Sequence, residues 1–88
     1  MNKLSAQLLA TLPLGTSTIL ILDAKAQAKR GKFRHILLTE LSSLAQEHGI
    51  SSACIHAKPL KGRGHTLSFY GVPPALQQRM RNVWTAYE

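Results

Sequence analysis

Ser52-Ala53-Cys54-Ile55-His56-Ala57-Lys58 and His65-Thr66-Leu67-Ser68-Phe69-Tyr70-Gly71 stand on either side of Pro59-Leu60-Lys61-Gly62-Arg63-Gly64. Two β-rich stretches around a loop of Pro and Gly predict a hairpin. A short loop at Lys61, Gly62 and Arg63, with Gly64 taking a positive φ, sets Ala57 opposite Leu67 and Ile55 opposite Phe69. These four side chains then share one face, which must be the core face. Cys54, His56 and Lys58 lie on the other, opposite Tyr70, Ser68 and Thr66. A slip of one residue would mix the two sets, so the pattern itself selects the register.

Upstream of the hairpin, Phe33, Ile36, Leu37, Leu41, Leu44 and Ala45 recur at the three-and-four spacing of an amphipathic helix from about Lys32 to His48. Gly49 is its C-terminal cap and Ile50 folds back on the last turn. Further upstream, Ile19-Leu20-Ile21-Leu22 is an unbroken apolar run within a β-rich segment from Thr16 to Leu22. Such a run reads as a strand buried on both faces. From Asp23 to Arg30, Ala24, Ala26 and Ala28 alternate with Lys25, Gln27 and Lys29. This permits a second strand after a turn at Asp23-Ala24-Lys25, although the same residues have high helix propensity.

Downstream, Val72-Pro73-Pro74 opens a last helix, because proline fits a first turn that needs no amide partner. Leu76, Met80, Val83, Trp84 and Tyr87 form its apolar stripe, with Trp84 expected in the core. The reading is thus an α+β domain in ββαββα order over residues 16–88. Two hairpins form a small sheet with one face covered by two amphipathic helices. The halves share no sequence identity that would make this an internal repeat. Residues 1–15 form a short arm in which Leu4, Leu8 and Leu12, spaced by four, suit a short helix or a packing segment. Ser5, Gln7, Thr11 and Pro13 interrupt it, so neither a secretory signal nor a span of ~18 apolar residues is expected.

The 88 residues suit a single domain with a modest core. Eleven Lys and Arg face four acids, a formal charge of +7, which favours anionic partners, with nucleic acid ahead of an anionic membrane or an acidic protein. Cys54 is the only cysteine, so no internal disulfide can form and a cytoplasmic setting is expected.

The C-terminal third, His65 through Gly71 and then Gln78-Arg79-Met80-Arg81-Asn82-Val83-Trp84, resembles an uncharacterised family of small bacterial proteins, a domain of unknown function. In that family a Gly/Arg turn leads into a short strand, a Pro-containing helix start and an ending of the Gln-Arg-Leu-Arg-Asn-Val type. The likeness runs from about Ile19 to Trp84 and is specific only in its last part. Members often carry an apolar or membrane segment before a strand and an Arg-Gly turn, here Arg30-Gly31; this sequence departs in lacking a membrane span. The resemblance implies domain boundaries and a bacterial setting, and supplies no activity.

The titratable residues form no convergent catalytic set. Glu40 and Glu47 sit two helical turns apart on one solvent face, where structural roles dominate. Cys54 and His56 share a strand face, a conceivable thiolate–imidazole pair with no third group to orient the histidine. The four histidines and Cys54 show no tight metal-ligand spacing beyond Cys54-x-His56, and Gly62-x-Gly64 precedes a strand, unlike a dinucleotide fingerprint. No catalytic residue, metal or cofactor is therefore expected, and the chain reads as a binding domain. Lys25, Lys29, Arg30, Lys32 and Arg34 form one cationic cluster; Lys58, Lys61 and Arg63, beside His65, form a second on a glycine-flexible loop suited to phosphates. His56 and Tyr70 would offer stacking surfaces for unpaired bases on the open sheet face, next to Lys58. The expected interface with RNA or single strands comprises Lys29, Arg30, Lys32, Arg34, His56, Lys58, Lys61, Arg63 and Tyr70. The other expectation is a protein-interaction module that forms a homodimer through the leucine arm or docks on an acidic partner.

Overall fold

A computed structural model describes residues 1–62 and 64–87. The elements in order are α1 (Lys3–Thr11), β1 (Ser17–Leu22), β2 (Lys25–Arg30), α2 (His35–Glu47), β3 (Ser52–Pro59), β4 (His65–Tyr70) and α3 (Pro74–Tyr87). The strands form one antiparallel sheet in the order β2-β1-β3-β4. The α+β class is as expected. The order gains a helix at its start, because the N-terminal arm folds as α1.

The β3–β4 hairpin adopts the register its alternation requires, with Ile55 opposite Phe69, Ala57 opposite Leu67 and His56 opposite Ser68. Leu60 N–H donates to the Gly64 carbonyl at 3.0 Å, closing the loop around Gly62. Arg63 lies outside the described residues. At the other hairpin, residues 25–30 form a strand. Asp23 and Ala24 make the tight turn, both left-handed with φ of 52° and 58°, the conformation that matches strand twist in a two-residue connection. The register of β2 on β1 slips between Thr18 and Ile19, leaving Lys29 without an opposite residue. Ser42 of α2 accepts from the Ala26 N–H at 2.8 Å, so a helix side chain satisfies part of the outer edge of β2.

α2 and α3 cover one sheet face. Leu37, Leu41, Leu44 and Ala45 of α2 and Leu76, Met80 and Trp84 of α3 meet Ile19, Ile21, Ala53, Ile55 and Ala57 in one core. α2 begins at His35, later than its apolar spacing suggests. Phe33 packs from the preceding loop, edge-on to Trp84 at 5.3 Å, and Ile36 faces outward. The helix ends as its sequence indicates: Gly49 takes a φ of 68° and the Ile50 N–H returns to the Ala45 carbonyl at 2.8 Å.

The second sheet face is not open. Ala6 and Ala10 of α1 pack on Leu20 and Cys54, with Leu9, Leu22 and Tyr70 around them. The contact uses the small side chains because they let the helix approach the sheet closely. Leu4, Leu8 and Leu12 consequently point away, at 66%, 60% and 44% exposure, so the segment is the short helix that their spacing suits and does not pack on the sheet through these leucines. Asn2 caps α1, its side chain accepting from the Ser5 N–H at 2.7 Å.

Candidate nucleic-acid interface

Antiparallel pairing decides where the cationic residues meet. Arg30 pairs with Thr18, Ser17 with Ala57, and Pro59 with His65. The end of β2, the start of β1, the end of β3 and the start of β4 therefore share one end of the sheet. The two basic stretches, far apart in sequence, leave from that same end: Arg30, Lys32 and Arg34 before α2, and Lys58 and Lys61 at the hairpin. All five are exposed. Arg30 is also tied down, donating through Nη1 to the Gly15 carbonyl at 3.2 Å. Lys32, Arg34 and His65 line a common cavity, which bridges the two stretches.

The described ion pairs lie at the opposite end. Lys3 pairs with Asp23 at 2.9 Å in the β1–β2 turn. Arg79 pairs with Glu47 at 3.7 Å at the end of α2 and donates to Nε2 of His48 at 2.7 Å. Among the described residues no ion pair engages Lys32, Arg34, Lys58 or Lys61. The described residues thus gather unpaired cations at one end, where their field adds over a short distance and is shortened by salt.

The stacking surface expected at His56 and Tyr70 is not available. His56 is 1% exposed beneath α1. Its Nε2 donates to the Leu9 carbonyl at 2.8 Å, an acceptor only, and its Nδ1 faces the Thr18 hydroxyl at 2.9 Å. Tyr70 is half-buried, its ring edge-on to His56 at 5.9 Å. Both residues fasten α1 to the sheet. The sequence carried a signal for this, since Ile19 to Leu22 as a strand apolar on both sides demands cover on both. Lys29 is exposed on the edge strand β2.

Cys54 stands 3.4 Å from Nε2 of His56, so the two do meet. Burial pushes the thiol up to about 11, which keeps it protonated at neutral pH and so a poor nucleophile. Among the described residues no three His, Cys, Asp or Glu side chains gather closely enough to hold a metal ion. No described helix is long and apolar enough to cross a membrane.

Sequence reasoning overlooked Arg81 and Thr85, which line a second cavity beside His65 and Trp84. Arg81 also lies over the Phe69 ring, 5.0 Å from its centroid, a favourable cation–π geometry. Only the crossing of α3 over β4 brings these residues to the basic end. No family model, curated protein or solved structure matches the chain.

Proposed function

We propose that this protein is a small nucleic-acid-binding domain whose cationic end contacts the phosphates of RNA or single strands. The observation that carries the reading is the meeting of two cationic stretches at one end of the sheet, with the described ion pairs gathered at the other. Arg30, Lys32 and Arg34 approach from one side, Lys58 and Lys61 from the other. Arg63 joins them by sequence. Phosphate contact needs exposed cations and little else. Binding of this kind releases counterions, so a gel-shift titration against mixed DNA and RNA at two salt concentrations tests it directly. Retention at low salt that falls steeply as salt rises is the expected result. Absence of retention on any nucleic acid at low salt refutes it.

A second reading rests on Met1, Leu4, Leu8 and Leu12, which leave α1 with an exposed apolar stripe. Lys3, the only charged side chain of α1, is paired with Asp23, which lowers the repulsion a second copy would meet at this stripe. Light scattering decides it: a monomeric mass across concentrations removes the homodimer.

A further inference from the structure

We infer that β4 is an interface strand. Its outer edge pairs antiparallel with the same edge of a second copy, about a two-fold axis at Ser68, and joins the two sheets into one. The inference stands apart from what the cationic end binds.

The bond from the Leu60 N–H to the Gly64 carbonyl fixes which residues of the hairpin exchange ladder bonds. In an antiparallel pair such residues alternate with residues that do not. Thr66, Ser68 and Tyr70 therefore bond across to β3, while Leu67 and Phe69 direct their N–H and C=O groups to the outside. The same alternation, carried across β3 and β1, sends the Ala26 N–H outward on β2, which is where Ser42 meets it. Nothing among the described residues bonds to the outward groups of Leu67 and Phe69. An edge of this kind is a template for another strand.

The two edges of the sheet differ in what they present. β2 carries Lys25, Lys29 and Arg30, a bulge and the Ser42 bond, each of which blocks strand addition. β4 carries no Lys, Arg, Asp, Glu or Pro, and its register with β3 is unbroken. Two copies joined through β2 would set cations against one another, whereas joining through β4 brings neutral strands together. Each chain carries +7, so the cationic ends must also stay apart. β4 is 6 residues long, and at ~3.3 Å per residue an antiparallel pair holds those ends about 20 Å apart along the strands. That exceeds the ~8 Å screening length of physiological salt.

An axis at Ser68 pairs the outward groups of Leu67 with those of Phe69 in the second copy, and the reverse. Leu67 then lies beside an aromatic ring, a favourable cross-strand pair. It lines a cavity of about 410 Å³ between the hairpin and α3, which leaves room for that ring. On the other face the two Ser68 side chains meet where the strands come closest, at a Cα separation of ~4.5 Å, and their small size permits the approach.

Ser68→Cys tests the axis, because ~4.5 Å lies within the Cα span of a disulfide, ~4.4–6.8 Å. Under mild oxidation the full-length variant should form a covalent dimer about tenfold faster or more than Gln27→Cys, an exposed site on β2. The parent chain, whose Cys54 is fully buried, should form none. In light scattering the parent should show the mass of two chains. Ser68→Lys, which opposes two like charges at the axis, should weaken the association by about fivefold or more, while circular dichroism shows a folded chain. If Ser68→Lys fails to fold, the cross-linking arm decides alone. A monomeric parent at every concentration overturns the proposal, as does cross-linking of Ser68→Cys no faster than that of Gln27→Cys. A dimer weakened by Leu8→Ser and not by Ser68→Lys overturns it in favour of the α1 stripe. Every arm is run without nucleic acid, so the gel shift decides that reading separately.

Discussion

Trp84 joins the core of α2 and α3 to the cationic end, so truncating it removes packing that nothing nearby replaces. Trp84→Ala should cost ~3–5 kcal/mol in urea unfolding, a large share of the ~5–15 kcal/mol typical of domains. A variant that unfolds like the parent would show that the ring carries little of the packing. Cys54 gives a pH signature. Its folded thiol ionises near 11 rather than near 9, so above pH 9 the unfolded chain loses this proton first. Stability should therefore fall as pH rises from about 9 to about 11, with an upper bound of about 3 kcal/mol from this group. Cys54→Ala should lack that part of the slope, and identical pH profiles would exclude the effect. Ala24 holds a φ of 58°, a region costly for a residue with a β-carbon. Ala24→Gly should raise stability by up to ~1 kcal/mol, read as a higher melting temperature.

At the scale of elements, α1 is the helix whose role changed most between sequence and structure. It buries Leu20, Cys54 and His56 through Ala6, Ala10 and the Leu9 carbonyl. Removing residues 1–14 should expose that face, lower the melting temperature and raise binding of a hydrophobic dye. Leu4→Ser and Leu8→Ser, by contrast, alter side chains directed into solvent and should each change stability by less than ~0.5 kcal/mol in the monomer. A larger loss, accompanied by a fall in mass, would mean that the stripe is covered by a second copy. Tyr70→Ala belongs with α1 for the same reason. It should lower stability and leave the salt dependence of strand binding unchanged.

For the molecule as a whole, the decisive property is the separation of charge along the strands. On single strands the log–log salt slope should be about −0.7 per phosphate contacted. Replacing Lys61 and Arg63 by Ala should weaken binding across sequences and flatten that slope by roughly 1.4, for two lost contacts. The double variant should melt like the parent, since exposed cations contribute little to stability. A loop variant that binds as tightly as the parent would remove the hairpin from the interface.

The amino-acid sequence by itself determined the β3–β4 register, the bodies of α2 and α3 and the buried strand β1. In each case local periodicity admitted one arrangement: shifting Ile55 and Ala57 by one residue, or rotating Leu37, Leu41 and Leu44, would place apolar groups in water. It also determined the excess of positive charge. It did not determine which side of α1 turns inward, because leucine spacing reports only that a helix has a stripe. Ala6 and Ala10 win that contact through close approach to Leu20 and Cys54, which requires the sheet to be present. Only the tertiary structure decided that α1 is the cover over His56, that Arg34 and His65 line one cavity and that Arg81 stands nearby. These are pairings between distant segments, set by strand order and helix crossing, for which no periodicity along the chain carries a signal.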